Sequence, residues 1–275
     1  MAEELKRARK AVLELSKTLK RLPNDPPIEE VHKLRTTVRR VEAIVAVLAQ
    51  ADGKEERRLL KAIEPVRKAA GGVREMDVMI ANARKLARSM PGDSLTRLVE
   101  QLHIARKQNA DELRRVLGRR RSAVRESLKE YAKRIRAVAN HTEKTATKGS
   151  DGGAQAGIHS AAANVVRTLS EWPPLNAENI HEFRLKVKEL RYILQLSDEA
   201  NSDMGEALGL VQRRVGDWHD WHQLEEIAGE ILNPERDGAL LKRISETTGR
   251  RFQQALKEAN SLRGRYLSAP RALGV

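Results

Sequence analysis

The sequence predicts an all-α fold built as two four-helix bundles related by an internal pseudo-two-fold repeat. Three observations carry that prediction. A histidine-centred segment occurs twice, as Ile28-Glu-Glu-Val-His32-Lys-Leu-Arg35-Thr-Thr-Val-Arg39 and as Ala177-Glu-Asn-Ile-His181-Glu-Phe-Arg184-Leu-Lys-Val-Lys188. Apolar residues recur at helical spacing along nearly the whole chain, and no stretch shows the period-two alternation of strands. A Gly-rich stretch from Lys148 to Gly157 separates two sets of four helical patterns. The predicted organisation is therefore a first half over residues 1–147, a linker over 148–157 and a second half over 158–275.

Each element has its own signal. Leu5, Ala8, Val12, Leu15 and Leu19 mark a first helix over residues 2–21, which Pro23-Asn-Asp-Pro-Pro27 stops. The first His segment runs from about Ile28 to Ala51 and ends at Asp52-Gly53. A third helix starts near Glu55, with a break expected at Gly71-Gly72. After Met90-Pro-Gly-Asp, Ser94 is placed to cap a long and heavily basic fourth helix. Beyond the linker, a short helix runs to Trp172 and is stopped by Pro173-Pro174. The second His segment spans about Ala177 to Ala200. A helix over about Asp203 to Leu232 carries Gly216, where a mid-helix glycine signals a bend or a close approach. The last helix begins after Asn233-Pro234 and reaches about Leu267.

The repeated segments place their chemistry on one face. A helix turns about 100° per residue, so offsets of zero, three and seven fall within roughly 60° of one another. His32, Arg35 and Arg39 form one strip, and His181, Arg184 and Lys188 form the other, extended one turn by Arg191. The apolar residues Val31, Leu34, Val38, Val41 and Ile180, Phe183, Val187, Leu190 run beside them as bundle seams. Neighbouring cations repel, so such a strip needs either carboxylates on adjacent helices or a polyanionic ligand. For one strip alone carboxylate pairing is the simpler account. The duplication and the charge of the chain reverse the balance.

That charge is large: 52 Lys and Arg against 38 Asp and Glu give +14, within a chain 40% apolar and thus able to bury a core. The excess points to nucleic acid, acidic lipid or polyphosphate as partner. Aromatic residues are only 3%, which weighs against stacking readers of single-stranded nucleic acid. The absence of Cys removes thiolate chemistry and fits a reducing compartment. Neither a secretory signal nor an apolar run of spanning length is visible, so the expected location is the cytoplasm.

The two His-x-x-Arg-x-x-x-[Arg/Lys] segments resemble the CHAD domain, the conserved histidine α-helical domain. The helical content, the loosely matching Gly71-Gly-Val-Arg-Glu-Met-Asp77 and Gly216-Asp-Trp-His-Asp-Trp-His222 elements, and essentially the whole length of the chain share in the resemblance. It implies two four-helix bundles with a basic groove between them, binding of inorganic polyphosphate, association with polyphosphate granules, no catalysis and no cofactor. It also implies ligand contacts at His32, Arg35, Arg39, Arg40, His181, Arg184, Lys188 and Arg191. Glu42 and Glu189 stand where the family pattern often has cations. No Glu-x-Glu-x-Lys motif of a triphosphate-tunnel domain is present, so the resemblance is to the stand-alone module.

The residues also bear on other functional classes. A nucleic-acid backbone reader is the alternative, supported by the charge and by the run from Arg114 to Arg125; no zinc finger, basic zipper or RNA-binding sheet signature accompanies it. That run can equally be a solvated face paired with Asp111, Glu112 and Glu126. Walker A, Gly-x-Gly-x-x-Gly and His-Glu-x-x-His patterns are absent, which weighs against an enzyme. His219-Asp-Trp-His222 with Asp217 is the best metal candidate, but structural metal sites need a fuller ligand set. The favoured reading there is ion pairing by Asp217 and Asp220 and core packing by Trp218 and Trp221. A membrane-surface role ranks last, because the apolar stripes are committed to bundle cores. The sequence carries no determinant of oligomeric state.

Overall fold

The computed structural model describes residues 2–23, 26–48, 53–90, 92–145, 152–194 and 203–267. These fold as α1 (Ala2–Arg21), α2 (Ile28–Leu48), α3 (Lys54–Leu86), α4 (Asp93–Thr145), α5 (Gly152–Ser170), α6 (Ile180–Leu194), α7 (Asp203–Ile231) and α8 (Pro234–Leu262). A π-helical turn, Arg263–Leu267, continues α8. Among the described residues there is no strand. None of their helices is long and apolar enough to cross a membrane.

The chain divides into two compact units. The first is Met1–Ala81 with Val99–Asp151, and the second is Asn82–Leu98 with Gly152–Val275. The end of α3 and the start of α4 thus belong with the second unit, although they precede the linker in sequence.

In the first unit the predicted seam is the core. Val31, Leu34, Val38 and Val41 of α2 are fully buried against Val12, Leu15 and Leu19 of α1, Ile63 and Val66 of α3, and Leu117 and Leu128 of α4. α3 carries Pro65, which removes one helix hydrogen bond, and Gly71-Gly72. It nevertheless runs unbroken from Lys54 to Leu86. Burial of Ile63, Val66, Ala70 and Val73 on one stripe compensates both weak points. The break expected at Gly71-Gly72 does not occur. Gly72 is instead a close approach: a Cβ there would lie 2.6 Å from Oδ1 of Asn109 on α4.

In the second unit Ile180, Phe183, Val187 and Leu190 of α6 are fully buried with Val165 and Leu169 of α5, Leu208, Val211 and Val215 of α7, and Ala255 and Ala259 of α8. Trp218 and Trp221 pack in the interior as expected. Trp172 meets Phe183 edge-on, ring centroids 5.7 Å apart. α6 starts at Ile180 rather than Ala177, because Asn176 closes a turn by accepting from the main-chain N–H groups of Glu178 and Asn179. α7 is continuous through Gly216. Of the expected linker, Gly152–Gly157 already belong to α5, while residues 148–151 lie outside the described residues. The ends expected for α2 at Ala51 and for α6 at Ala200 also lie outside them.

Ser94 is not the cap of α4. The helix begins at Asp93, and the Ser94 hydroxyl donates to Oδ1 of Asp237 at 2.6 Å. Asp237 closes a reciprocal cap at the start of α8. Asn233 Oδ1 accepts from the N–H of Glu235 at 2.8 Å, and Asp237 Oδ2 accepts from the N–H of Asn233 at 3.0 Å. Pro234 occupies the first helical turn, where its missing N–H costs nothing. Arg97 pairs with the same carboxylate. The bond from Ser94 first, and those from the Asn233 N–H and Arg236, hold the buried Asp237 carboxyl at a pKa of about 2 against the opposing effect of burial.

Candidate anion-binding site

The second His strip lies along α6 and meets α7 in antiparallel register. His181 stacks on His219, ring centroids 4.4 Å apart and planes 32° from parallel. One turn on, Arg184 lies flat over Gly216: a Cβ at that glycine would sit 3.0 Å from Nη2 and 3.4 Å from Nε of Arg184. Two turns further, Arg191 lies over Gly209, with its Cζ and Nε both 3.7 Å from where a Cβ would be. Gln212 sits between the two glycines. Its main-chain oxygen accepts from Nε of Arg184 at 3.2 Å, and its side-chain Oε1 accepts from Nη1 of Arg191 at 2.9 Å. The glycine in mid-helix thus marks a close approach, in which the missing Cβ makes room for a guanidinium.

The electrostatics follow from this arrangement. Both Gln212 oxygens are neutral, so they orient the guanidiniums without cancelling their charge. Burial lowers the pKa of His181, and the Arg184 charge lowers it further against the weaker opposing pull of Glu182. His219 is pushed down to about 4, first by burial, then by His181, Arg184 and His222. Both imidazoles are therefore neutral at pH 7. Nδ1 of His181 is buried without a hydrogen-bond partner, so that nitrogen is not tied to a carbonyl or carboxylate, the simpler role open to it on sequence. Lys188, on the same strip, places its ammonium 5.7 Å from the centroid of the Tyr192 ring.

The first strip is less positive. His32 and Arg40 are exposed, and Arg35 and Arg39 are half-buried. Glu42 lies 3.9 Å from Nη1 of Arg39 and 2.9 Å from Nε of Arg67 on α3. Arg40 pairs with Glu14 of α1 at 3.3 Å. Glu42 therefore works as the carboxylate partner of its own strip. A Cβ at Gly71, the residue aligned with Gly216, would meet nothing within 4 Å, so Arg35 is not seated as Arg184 is.

Several basic residues outside the two strips have carboxylate partners. Arg106 forms a buried pair with Asp77, Nε to Oδ1 2.6 Å, and Arg251 pairs with Asp217 at 2.9 Å. Arg114 pairs with Asp111, and Arg115 pairs with Glu112 at 2.8 Å. Arg119 and Arg120 are exposed. The partners in the basic run of α4 come three residues earlier on the helix. Among the described residues no group of three or more His, Cys, Asp or Glu is placed to hold a metal ion.

Comparison with known proteins bears on this arrangement directly. The family model described as "CHAD domain" matches residues 6–229. This chain belongs to the CHAD domain family. Its fold is similar to the crystal structure of the CHAD domain from the plant Ricinus communis, with a TM-score of 0.66 at 15% identity, covering 99% of this chain and 93% of that one. No curated protein matches. The all-helical fold expected of a CHAD domain is the fold observed. Both His strips fall inside the matched span, as does all of α7 up to Gly229.

The residues that the sequence did not flag are Gln212 and Gly209. His219 was visible as a metal candidate, and Gly216 as a bend or a close approach, of which the structure has the second. A usable signal was present: two arginines seven apart on α6 and two glycines seven apart on α7.

Proposed function

We propose that this CHAD domain is a non-catalytic module that binds inorganic polyphosphate and thereby associates with polyphosphate granules in the cytoplasm. The observation that carries the proposal is the α6 strip of His181, Arg184, Lys188 and Arg191, whose two guanidiniums are oriented by neutral oxygens of Gln212. Polyphosphate carries charge at every unit and has no base edges, so it needs repeated donors along a track. Arg supplies a planar fork for two phosphate oxygens, and Lys a compact charge. His32, Arg35, Arg39 and Arg40 contribute a second, partly neutralised strip.

Affinity should arise from counterion release, as it does on nucleic-acid backbones, and should fall steeply with salt. The neutral His181 and His219 add a proton-linked component, since a bound polyanion favours their charged forms. The exposed Arg119 and Arg120 of α4 support a nucleic-acid backbone as the alternative ligand.

The test is titration with long-chain polyphosphate near physiological salt, with duplex DNA of equal phosphate content as competitor. Tight binding that DNA fails to displace is expected. Displacement by DNA at matched phosphate would transfer the assignment to nucleic acid.

A further inference from the structure

Arg184 and Arg191 lie two turns apart on α6, about 10 Å along the axis at the rise of an α-helix. One residue of the neighbouring helix touches both. Gln212 takes Nε of Arg184 on its main-chain oxygen and Nη1 of Arg191 on its side-chain oxygen, at 3.2 and 2.9 Å. The Arg184 guanidinium lies over Gly216, where a Cβ would crowd its Nη2 at 3.0 Å, and the Arg191 guanidinium packs over Gly209 at ordinary contact distance. Arginine is a long and rotamer-rich side chain, and an unheld pair would lose that freedom on binding. Here each guanidinium has one N–H committed to Gln212 before any ligand arrives, so its plane and position are fixed in advance.

We propose that Gln212 is a positioning residue that sets Arg184 and Arg191 as a two-point clamp of fixed span. The clamp would select condensed phosphate chains long enough to reach both guanidiniums over orthophosphate and diphosphate. This inference rests on the polyphosphate reading above. A diphosphate, with two phosphorus atoms sharing one bridging oxygen, engages one guanidinium at a time. A chain of about four phosphates or more covers the two turns between Arg184 and Arg191 and engages both, with Lys188 lying between them. The multivalent gain then appears only above that length, because the second contact is intramolecular.

The experiment uses the full chain and compares the wild type with Gln212→Met, Gln212→Glu, Arg191→Gln and the Gln212→Met/Arg191→Gln double variant. Ligands are diphosphate, tripolyphosphate and long-chain polyphosphate at one salt concentration, with tryptophan fluorescence melts to confirm folding. Wild-type affinity per chain should stay low for diphosphate and tripolyphosphate and step up for long-chain polyphosphate. Gln212→Met should weaken long-chain binding about 5- to 10-fold and leave diphosphate binding unchanged. Gln212→Glu, which sets a carboxylate against Arg191, should weaken it more and flatten the salt dependence by about one unit of slope. The double variant should be no weaker than Arg191→Gln alone, since both changes remove one contact.

If Gln212→Met binds every length as the wild type does, or weakens every length equally, Gln212 is not a positioning residue and polyphosphate binding itself still stands. If the wild type binds no polyphosphate, the underlying reading falls, and this inference with it.

Discussion

Replacing Gly216 by alanine should destabilise the second unit, although the same change at Gly229 of the same helix should stabilise it. Both glycines lie inside the continuous α7, where alanine is worth about 1 kcal/mol over glycine. At Gly229 a Cβ meets nothing within 4 Å, so that gain should appear nearly whole, at about 0.5 to 1 kcal/mol. At Gly216 the new methyl would sit 3.0 Å from Nη2 and 3.4 Å from Nε of Arg184. The guanidinium has to give by a few tenths of an ångström, and it is held by its bond to the main-chain oxygen of Gln212, which the shift works against. A hydrogen bond to a charged group is worth about 1.5 to 3 kcal/mol, which exceeds the propensity gain by about 0.5 to 2 kcal/mol. The two variants should therefore differ by about 1.5 to 3 kcal/mol. The assay is urea unfolding followed by tryptophan fluorescence. All three tryptophans, Trp172, Trp218 and Trp221, belong to the second unit, so the signal reports that unit alone. Equal stabilisation by both substitutions would refute the idea that α7 seats Arg184.

Further expectations follow from the titrating and buried groups. His219 is held near pKa 4 when folded, against an ordinary value of 6.5, so its unfolded form takes a proton that the folded form refuses. Stability should be full above pH 6.5 and decline as pH falls towards about 4. With the shift discounted for the half-exposed ring, the loss between pH 7 and pH 5 is about 1 kcal/mol; His219→Gln should flatten that slope in the same fluorescence assay. Polyphosphate binding should take up protons between pH 8 and 6, read by calorimetry in buffers of different ionisation enthalpy, and an enthalpy independent of buffer would contradict it. Arg106→Met leaves Asp77 buried with neither carboxylate oxygen paired, because Oδ2 already has no partner. The expected cost is about 2 to 3 kcal/mol in the first unit, measured by far-ultraviolet circular dichroism. Asp237→Asn loses an acceptor of Ser94, Arg97 and the Asn233 N–H, and should lower the melting temperature of the tryptophan-monitored transition. In the wild type that contribution is present above pH 3.8 and fades as pH falls through about 2.

The helices and their buried faces were legible because they depend on spacing alone. Val31, Leu34, Val38, Val41 and their counterparts on α6 were placed correctly by the 3.6-residue period. The glycine signals were legible only in part. A missing Cβ is equally consistent with a bend and with a close neighbour, and it was Arg184 and Asn109, brought by other helices, that decided Gly216 and Gly72. Ser94 carries the local signature of a cap, but its hydroxyl was drawn to a carboxylate far along the chain. The true cap, Asn233 with Asp237, was written in the sequence within a single turn and reads clearly in retrospect. Gln212 was not legible at all: a neutral amide among charged neighbours gains its meaning only from the register of α6 against α7.

The Ser94–Asp237 bond also constrains the order in which this protein can be made. Asn82–Leu98 belongs to the second unit, yet its partner Asp237 is encoded 143 residues after Ser94. At 5 to 20 residues per second, a ribosome needs about 7 to 30 s to cover that separation. Until then Leu86, Leu95 and Leu98, all buried in the finished fold, have no completed unit to enter. For about half of its synthesis the nascent chain thus carries these three leucines without their final neighbours.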